Sequence, residues 1–424
     1  MWKPELLAPA KNLERLKVAV TYGADAVYVG GQRYGLRARA DNFTDLDLER
    51  GIAFAHQHQA RVYVTLNAFL HDEDFEGLAE YCQFLESIGL DAVIVSDLGV
   101  LRVVQRSSNL DIHLSTQASC LNAAAGQFWK NWNVKRLIVG RELSVEETAA
   151  ISVASGIEAE MFVHGAMCMA YSGQCTISNF TAGRDSNRGG CVQSCRFPYS
   201  IQATGETQSL AMTPSLVTAP QTVEAPTFMS SKDLWGIGQI PAFFEHRICS
   251  LKIEGRMKSS FYVAMTCRAY RQAIDAYAEG QLTPDLLNQI AAELESIPHR
   301  DYTEGSLETP ADLTSVYEQT QAKNVGTHEY VGMVIEATAR DLFLYLCEPL
   351  SLGDEIEFVP PIGQPILSRV HQLLSIKGEG LSTMRQDGIV RVPKDEKLDA
   401  IQTFTVVRAA TVRIDASKLA AVQS

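Results

Sequence analysis

Eight short apolar runs, separated by amphipathic stretches, constrain most strongly what this chain can fold into. They are ELLAPA (5–10), ADAVYVGG (24–31), RVYVTLNA (61–68), DAVIVSD (91–97), DIHLSTQ (111–117), KRLIVGREL (135–143), IEAEMFVHG (157–165) and ICSLKIEG (248–255). Each is rich in Val, Ile or Leu and short enough for a strand buried on both faces. Stretches between them, such as KNLERLKVAVTYG and EGLAEYCQFLESIG, have helical periodicity and end in Gly, as a helix C-terminus does. Eight βα units predict a TIM-type (β/α) barrel domain over 1–320. A doubly wound open sheet is the alternative, because strand closure leaves no mark on a sequence.

The seventh and eighth runs are far apart, and the insertion between them (166–230) is cysteine-rich. It reads as the cysteine segment, then a hairpin-like pair around FPYSIQ and PTFMSS, with a mobile polar loop (202–224) between the two. An insertion after strand seven lies at the carboxyl-terminal face of a barrel, where active sites are built. After the eighth run come a long amphipathic helix, SSFYVAMTCRAYRQAIDAYAEG, and a second one (284–296). From residue 325 the pattern becomes period two with turn signals, in EYVGMVIEAT, DLFLYLCEP, LGDEIEFVPP, GIVRVP and TFTVVRA. This predicts a small C-terminal all-β, barrel-like domain over 325–414. Its aromatics Tyr330, Phe343, Tyr345 and Phe358 read as core rather than as a base-stacking row.

Polar residues at the ends of barrel strands point into the site. Here they are Asn67, Asp97, Gln117, Arg141, Glu142, His164, Lys252, Glu254 and Arg256. The insertion adds Cys168, Cys175, Cys191 and Cys195, four of the nine cysteines in the chain. Four thiolates can hold a tetrahedral zinc or a 4Fe–4S cluster. Zinc sites usually pair their ligands as CxxC knuckles, which neither spacing matches. Irregular spacing with intervening Gly, Arg and Asn suits iron–sulfur ligation better. Arg184, Arg188 and Arg196 flank the cysteines. A second basic group, Lys252, Arg256, Lys258, Arg268 and Arg271, starts at the eighth run and continues onto the following helix.

The net charge of −13 argues against broad electrostatic capture of a nucleic acid and leaves that task to local basic patches. The N-terminal MWKPELLAPAKNLERL lacks the apolar core of an export signal, and no run of about 18 uncharged apolar residues occurs. The expectation is a cytoplasmic protein with no membrane contact, where clustered cysteines signify metal or redox chemistry more than disulfides.

PELLAPAKNLERLKVAVTYGADAVYVGGQRYGLRARADNF, IHLSTQASCLNAAAGQFW, RLIVGRELSVEE, MFVHGAMCMAYSGQC and SLKIEGRMKS closely resemble the collagenase-like peptidase family. The nearest match is its bacterial branch for prephenate-dependent 5-hydroxylation of tRNA uridine, and the similarity covers nearly the whole chain. The resemblance implies an enzyme that installs 5-hydroxyuridine at the tRNA wobble position without molecular oxygen. It would require prephenate as co-substrate and a 4Fe–4S cluster bound by Cys168, Cys175, Cys191 and Cys195. Family members often carry a further cysteine after SKDL, where this chain has Trp235. The family segment HRxYTTGFY reads HRDYTEGSLE here (299–308). Arg184, Arg188, Lys252 and Arg256 are expected to hold prephenate carboxylates or RNA phosphates, and His164 and Glu254 to transfer protons. The alternatives are hydroxylation of another substrate such as rRNA, or peptidase activity. The second lacks HExxH, GxSxG or a clear Cys–His pair outside the cluster. A non-catalytic RNA-binding protein is a third class, disfavoured by the ionisable residues gathered at one barrel face.

Overall fold

All eight apolar runs form strands of one parallel barrel. In the computed structural model, residues 2–36, 42–197, 199–204, 209–214, 229–312 and 326–411 are described. The first seven strands are β1 (Glu5–Pro9), β2 (Ala26–Val29), β3 (Arg61–Leu66), β4 (Ala92–Val95), β5 (Asp111–Leu114), β6 (Arg136–Ile138) and β7 (Glu158–Ala166). They are followed by a hairpin of β8 (Tyr199–Thr204) and β9 (Ser209–Pro214), by β10 (Asp233–Trp235), and by β11 (Ser250–Ile253). β1–β7 pair in chain order, and β11 closes the ring by pairing in parallel with both β7 and β1. That closure excludes the open doubly wound sheet. β1, β2, β4, β6 and β11 are buried throughout, as their unbroken apolar runs require.

The helices are α1 (Leu13–Thr21), α2 (Asp45–Gln57), α3 (Leu78–Ser87), α4 (Leu98–Ser107), α5 (Ala123–Lys130), α6 (Val145–Ser155), α7 (Ile177–Ala182), α8 (Ile240–Glu245), α9 (Ser260–Ala278) and α10 (Pro284–Leu294). Asn12, Thr44, Asp97, Asn122 and Ser144 cap five of them through their side chains. Asp97, expected at the site, is therefore spent on a helix start. The hairpin departs from expectation: FPYSIQ pairs, through Tyr199–Thr204, with SLAMTP (209–214), so part of the stretch read as a mobile loop is strand. The rest of that loop lies outside the described residues.

The barrel lumen carries charge. Glu160, with no solvent exposure, accepts hydrogen bonds from Lys252 Nζ (2.8 Å) and Arg136 Nη1 (3.3 Å). The same Arg136 nitrogen donates to Glu5 (2.6 Å), which also accepts from Tyr63 (2.7 Å) and Ser250 (3.0 Å). Two buried cations face two buried carboxylates in a chain along the lumen. Burying such charges is tolerable only because each is paired and hydrogen-bonded.

The C-terminal domain follows β12 (Tyr302–Thr303). Its strands are β13 (His328–Ala337), β14 (Asp341–Leu346), β15 (Leu350–Ser351), β16 (Glu355–Val359), β17 (Ile366–Arg369), β18 (Thr383–Met384), β19 (Ile389–Pro393) and β20 (Val406–Ala410). Six of them form one antiparallel sheet, β17-β16-β20-β13-β14-β19, whose edge strands do not pair with each other. The result is a half-barrel. It is fastened to the main barrel by Tyr22, which donates to Val359 O (2.6 Å) and accepts from Val406 N (2.9 Å). Arg268 on α9 binds Glu293 and the carbonyls of Pro360 and Gly363. Arg271 pairs with Asp25 and Asp275. Both arginines are thus structural, and α9 is buried on nearly all sides between the two units.

Candidate active site

A cavity of about 450 Å³ opens at the carboxyl ends of the barrel strands, a size suited to a small ligand or a single nucleobase. Its floor is made by inward-facing strand residues: Tyr28 of β2, Thr65 of β3, Phe162 of β7 and Lys252 of β11. Asn67, Gln117 and Arg141 come from the loops after β3, β5 and β6, and Glu254, Arg256 and Lys258 from the loop after β11. The insertion after β7 forms the remaining wall, and Cys168, Cys175, Cys191 and Cys195 all lie on it together with Arg196.

Among the described residues five cations therefore line this cavity (Arg141, Arg196, Lys252, Arg256 and Lys258) against one carboxylate, Glu254. Arg141 lies 3.8 Å above the Phe162 ring and 3.8 Å from Glu254. Lys252 sits 4.5 Å from the Tyr28 ring centre, its ammonium anchored from below by Glu160. Arg256 reaches Thr65 Oγ1 (3.5 Å) and Asn42 Oδ1 (3.4 Å). Gly30 makes room for it, since a Cβ there would come within 2.3 Å of Arg256 Nη1. Burial lowers the pKa of both Arg196 and Lys258 from the ordinary value, the sign of cations held close together in a desolvated space.

The insertion is fixed to the barrel by polar contacts. Ser172 N donates to Glu142 (2.7 Å), and Gln174 Nε2 donates to Gln117 O (2.7 Å). Arg188 donates to Phe69 O (3.0 Å) and Asp74 (2.7 Å). Arg188, expected to hold substrate, is instead a strut, and neither it nor Arg184 lines the cavity. Beside Lys252 and Arg256 it is lined by Arg141, which the strand-end reading places at the site, and by Arg196 and Lys258, which the sequence marks only as basic neighbours of the cysteines and of the eighth run. Glu142 likewise serves the insertion and stays outside the cavity.

His164 is also displaced from the expected role. It follows Glu160 and Phe162 at period two, which would aim it into the lumen, but the β7–β11 register skips Val163. That irregularity re-aims the side chain. It is 1% exposed, does not line the cavity, and packs against Tyr262, Tyr270 and Tyr302 with ring centres 5.5–5.9 Å away. The next residue must be glycine: Gly165 has φ +97°, and a Cβ would meet Glu254 O at 2.3 Å. From His164 to Ala166 β7 pairs antiparallel with β10, a strand too short in SKDLW to be read from the sequence. Trp235, in the variant cysteine position, is on that strand, and the adjacent Asp233 forms a buried pair with Arg300 of the HRDY segment. Burial pushes the Asp233 carboxyl up, but Arg300 and Lys258 more than offset this and hold it below its usual range.

Burial lowers the His164 pKa from 6.5 to about 3, only partly opposed by Asp233. The unfolded chain therefore takes up a proton near pH 6.5 that the native state refuses until about pH 3. Stability is expected to fall as pH drops through that window, by up to about 1.4 kcal/mol per pH unit. Urea denaturation of His164→Gln should show a flatter acid dependence than the unsubstituted protein.

Among the described residues no three His, Cys, Asp or Glu side chains close on one point as a single metal ion needs, and no disulfide forms. A lone zinc draws its sulfurs to about 2.3 Å from one centre. The four thiols on the insertion wall are an all-sulfur donor set of the kind that zinc or an iron–sulfur cluster takes. Burial raises the thiol pKa of Cys168 and Cys195, and each is raised further by the neighbouring cysteines. Such groups are poorly placed as lone nucleophiles.

A parallel barrel with a thiol-lined, cationic mouth defines a TIM-type enzyme whose site is built from strand-end loops and one insertion. The chain belongs to peptidase family U32, whose model matches residues 11–315. It is 39% identical to "tRNA hydroxylation protein P1" of Bacillus subtilis (strain 168), over 93% of each chain. It is 34% identical to "tRNA hydroxylation protein P" of Escherichia coli (strain K12), over 94% of this chain and 96% of that one. A third relative, "23S rRNA 5-hydroxycytidine C2501 synthase" of the same organism, is 32% identical over 82% of this chain and 52% of its own.

Proposed function

We propose that this chain is an RNA-modifying hydroxylase that converts a tRNA wobble uridine to 5-hydroxyuridine, without molecular oxygen and with prephenate as co-substrate. The observation that carries the reading is the joining, on one cavity of about 450 Å³, of four thiols and five cations. Two relatives of matching length, both named for tRNA hydroxylation, support tRNA over rRNA as the substrate. No helix among the described residues is long and apolar enough to cross a membrane.

Cys168, Cys175, Cys191 and Cys195 would hold a 4Fe–4S cluster, which when bound supplies one-electron transfer. The protein's own groups do the rest. Lys252, Arg256 and Arg141 can bind the two carboxylates of prephenate or an RNA phosphate through charge-assisted hydrogen bonds. The Phe162 and Tyr28 rings hold the Arg141 guanidinium and the Lys252 ammonium in place by cation–π contact. Glu254, the one carboxylate among the described residues that line the cavity, is placed to exchange a proton with a bound ligand. The family is named for peptidases, yet among the described residues no histidine lines this cavity to serve as an imidazole base for its thiols.

The test is nucleoside mass spectrometry of tRNA and rRNA from cells lacking the gene, with and without the chain supplied in trans. Restored 5-hydroxyuridine in tRNA supports the reading. A hydroxylated base restored in rRNA alone moves the substrate, and no change in either removes the reading.

A further inference from the structure

The side-chain amide of Gln117 is held at one end only. Gln117 stands on the short turn Thr116–Ala118 after β5, is 4% exposed, and lines the cavity. Its side-chain oxygen accepts from Asn67 Nδ2 (3.0 Å) and from the Ser115 hydroxyl (2.9 Å). Two donors saturate that end and fix the orientation of the amide. The other end, Nε2, has no hydrogen-bond partner among the described residues and is not sealed from the cavity. A buried N–H2 group without an acceptor is unfavourable, and a ligand oxygen placed against it removes that cost.

Two features choose the ligand atom. The polar cavity residues from the ends of β3 and β5 are Thr65, Asn67, Ser115, Thr116 and Gln117, all uncharged. Among the described residues the five cations come instead from the loop after β6, from β11 and its loop, and from the insertion. Carboxylates and phosphates are matched by the cations, and a neutral amide donor is matched by a neutral carbonyl. Gln117 is also a barrel residue on which the insertion leans just before Cys175. Its main-chain oxygen accepts from Gln174 Nε2 (2.7 Å), and a Cβ on Gly173 would stand 3.6 Å from its Cγ. The free donor thus belongs to a residue that joins the neutral face of the cavity to the thiol wall.

We infer that Gln117 determines which pyrimidine is accepted, its Nε2 donating to the C4 carbonyl of uracil. The inference rests on the uridine-hydroxylating reading above and deepens it. C4 is bonded to C5, the carbon to be hydroxylated, so a base with C5 toward the thiols carries its C4 substituent to the residue beside them. Uracil presents an acceptor there, and cytosine an amino donor. Two donors face to face stay unpaired in a desolvated site. A site built around a hydrogen bond rejects an analogue that cannot make it more strongly than pocket shape does.

The test is competitive binding, to the full-length protein, of RNA hairpins that differ only at one loop base. The unsubstituted protein is expected to favour U over C about tenfold. A hairpin with 2-pyrimidinone, which has no group at C4, should bind between the two. Gln117→Met removes the donor and should bring the U and C affinities together. Gln117→Glu keeps an oxygen for Asn67 and Ser115 but turns the free end into an acceptor, and should favour C. Variants that keep the U preference would overturn the inference and leave tRNA hydroxylation standing, as would equal binding of U and 2-pyrimidinone by the unsubstituted protein. Equal weakening of all hairpins in both variants would overturn it in favour of a structural role. Loss of stabilisation by prephenate with the U preference intact would overturn it in favour of the co-substrate. No base preference in the unsubstituted protein, together with no 5-hydroxyuridine in complemented cells, would overturn both readings.

Discussion

Alanine at any one of Cys168, Cys175, Cys191 or Cys195 is expected to reduce 5-hydroxyuridine in tRNA to background. Iron and acid-labile sulfide should be about four each per chain in anaerobically purified protein and fall together in each variant. The four thiols share one wall, so no remaining cysteine can take the place of a lost one. Cys82 and Cys267 are wholly buried in the apolar core, and alanine there should leave activity intact at a modest cost in stability. Equal loss at Cys82 would show that the effect is on folding. Stoichiometric zinc, or full activity in a cluster-cysteine variant, would end the redox reading.

The second large effect is expected deep in the barrel. Glu160→Ala leaves Lys252 and Arg136 without a shared carboxylate in the lumen. Removing one partner of a buried pair typically costs about 3–5 kcal/mol, since the orphaned charge stays buried. The urea midpoint should fall accordingly. Glu160→Leu combined with Lys252→Met replaces the pair by apolar groups and should recover most of the stability. It should not recover hydroxylation, because Lys252 is one of the cations on the cavity floor. Recovery of both would show that Lys252 has no part in the reaction.

The barrel was legible because its strands are buried on both faces and so write unbroken apolar runs into the sequence. Strand-end residues were legible for a related reason: the end of a run marks where side chains turn toward the mouth. That logic found Asn67, Gln117, Arg141, Lys252, Glu254 and Arg256, all of which line the cavity. It failed for His164 because a one-residue register skip reverses which face a side chain occupies and alters no composition. It failed for Arg184 and Arg188 because proximity in sequence to the cysteines does not say which way a loop folds back. β10 escaped notice because three residues that pair antiparallel with an overlong β7 have no period to read. The half-barrel was legible as β structure, but its open edges depend on pairings between segments distant in the chain.

The wall that carries the thiols has almost no apolar interior. Its buried residues include Ser172, Ser178, Ser186 and Ser194, and it is held by hydrogen bonds to groups such as Glu142, Gln117 and Asp74 that only a closed barrel brings together. Few apolar contacts and many hydrogen bonds make this wall a segment that opens at low cost. If its cysteines carry the proposed cluster, the ligand bonds would cross-link the wall where its own packing supplies least, and a protease that samples transient openings would distinguish loaded chains from empty ones.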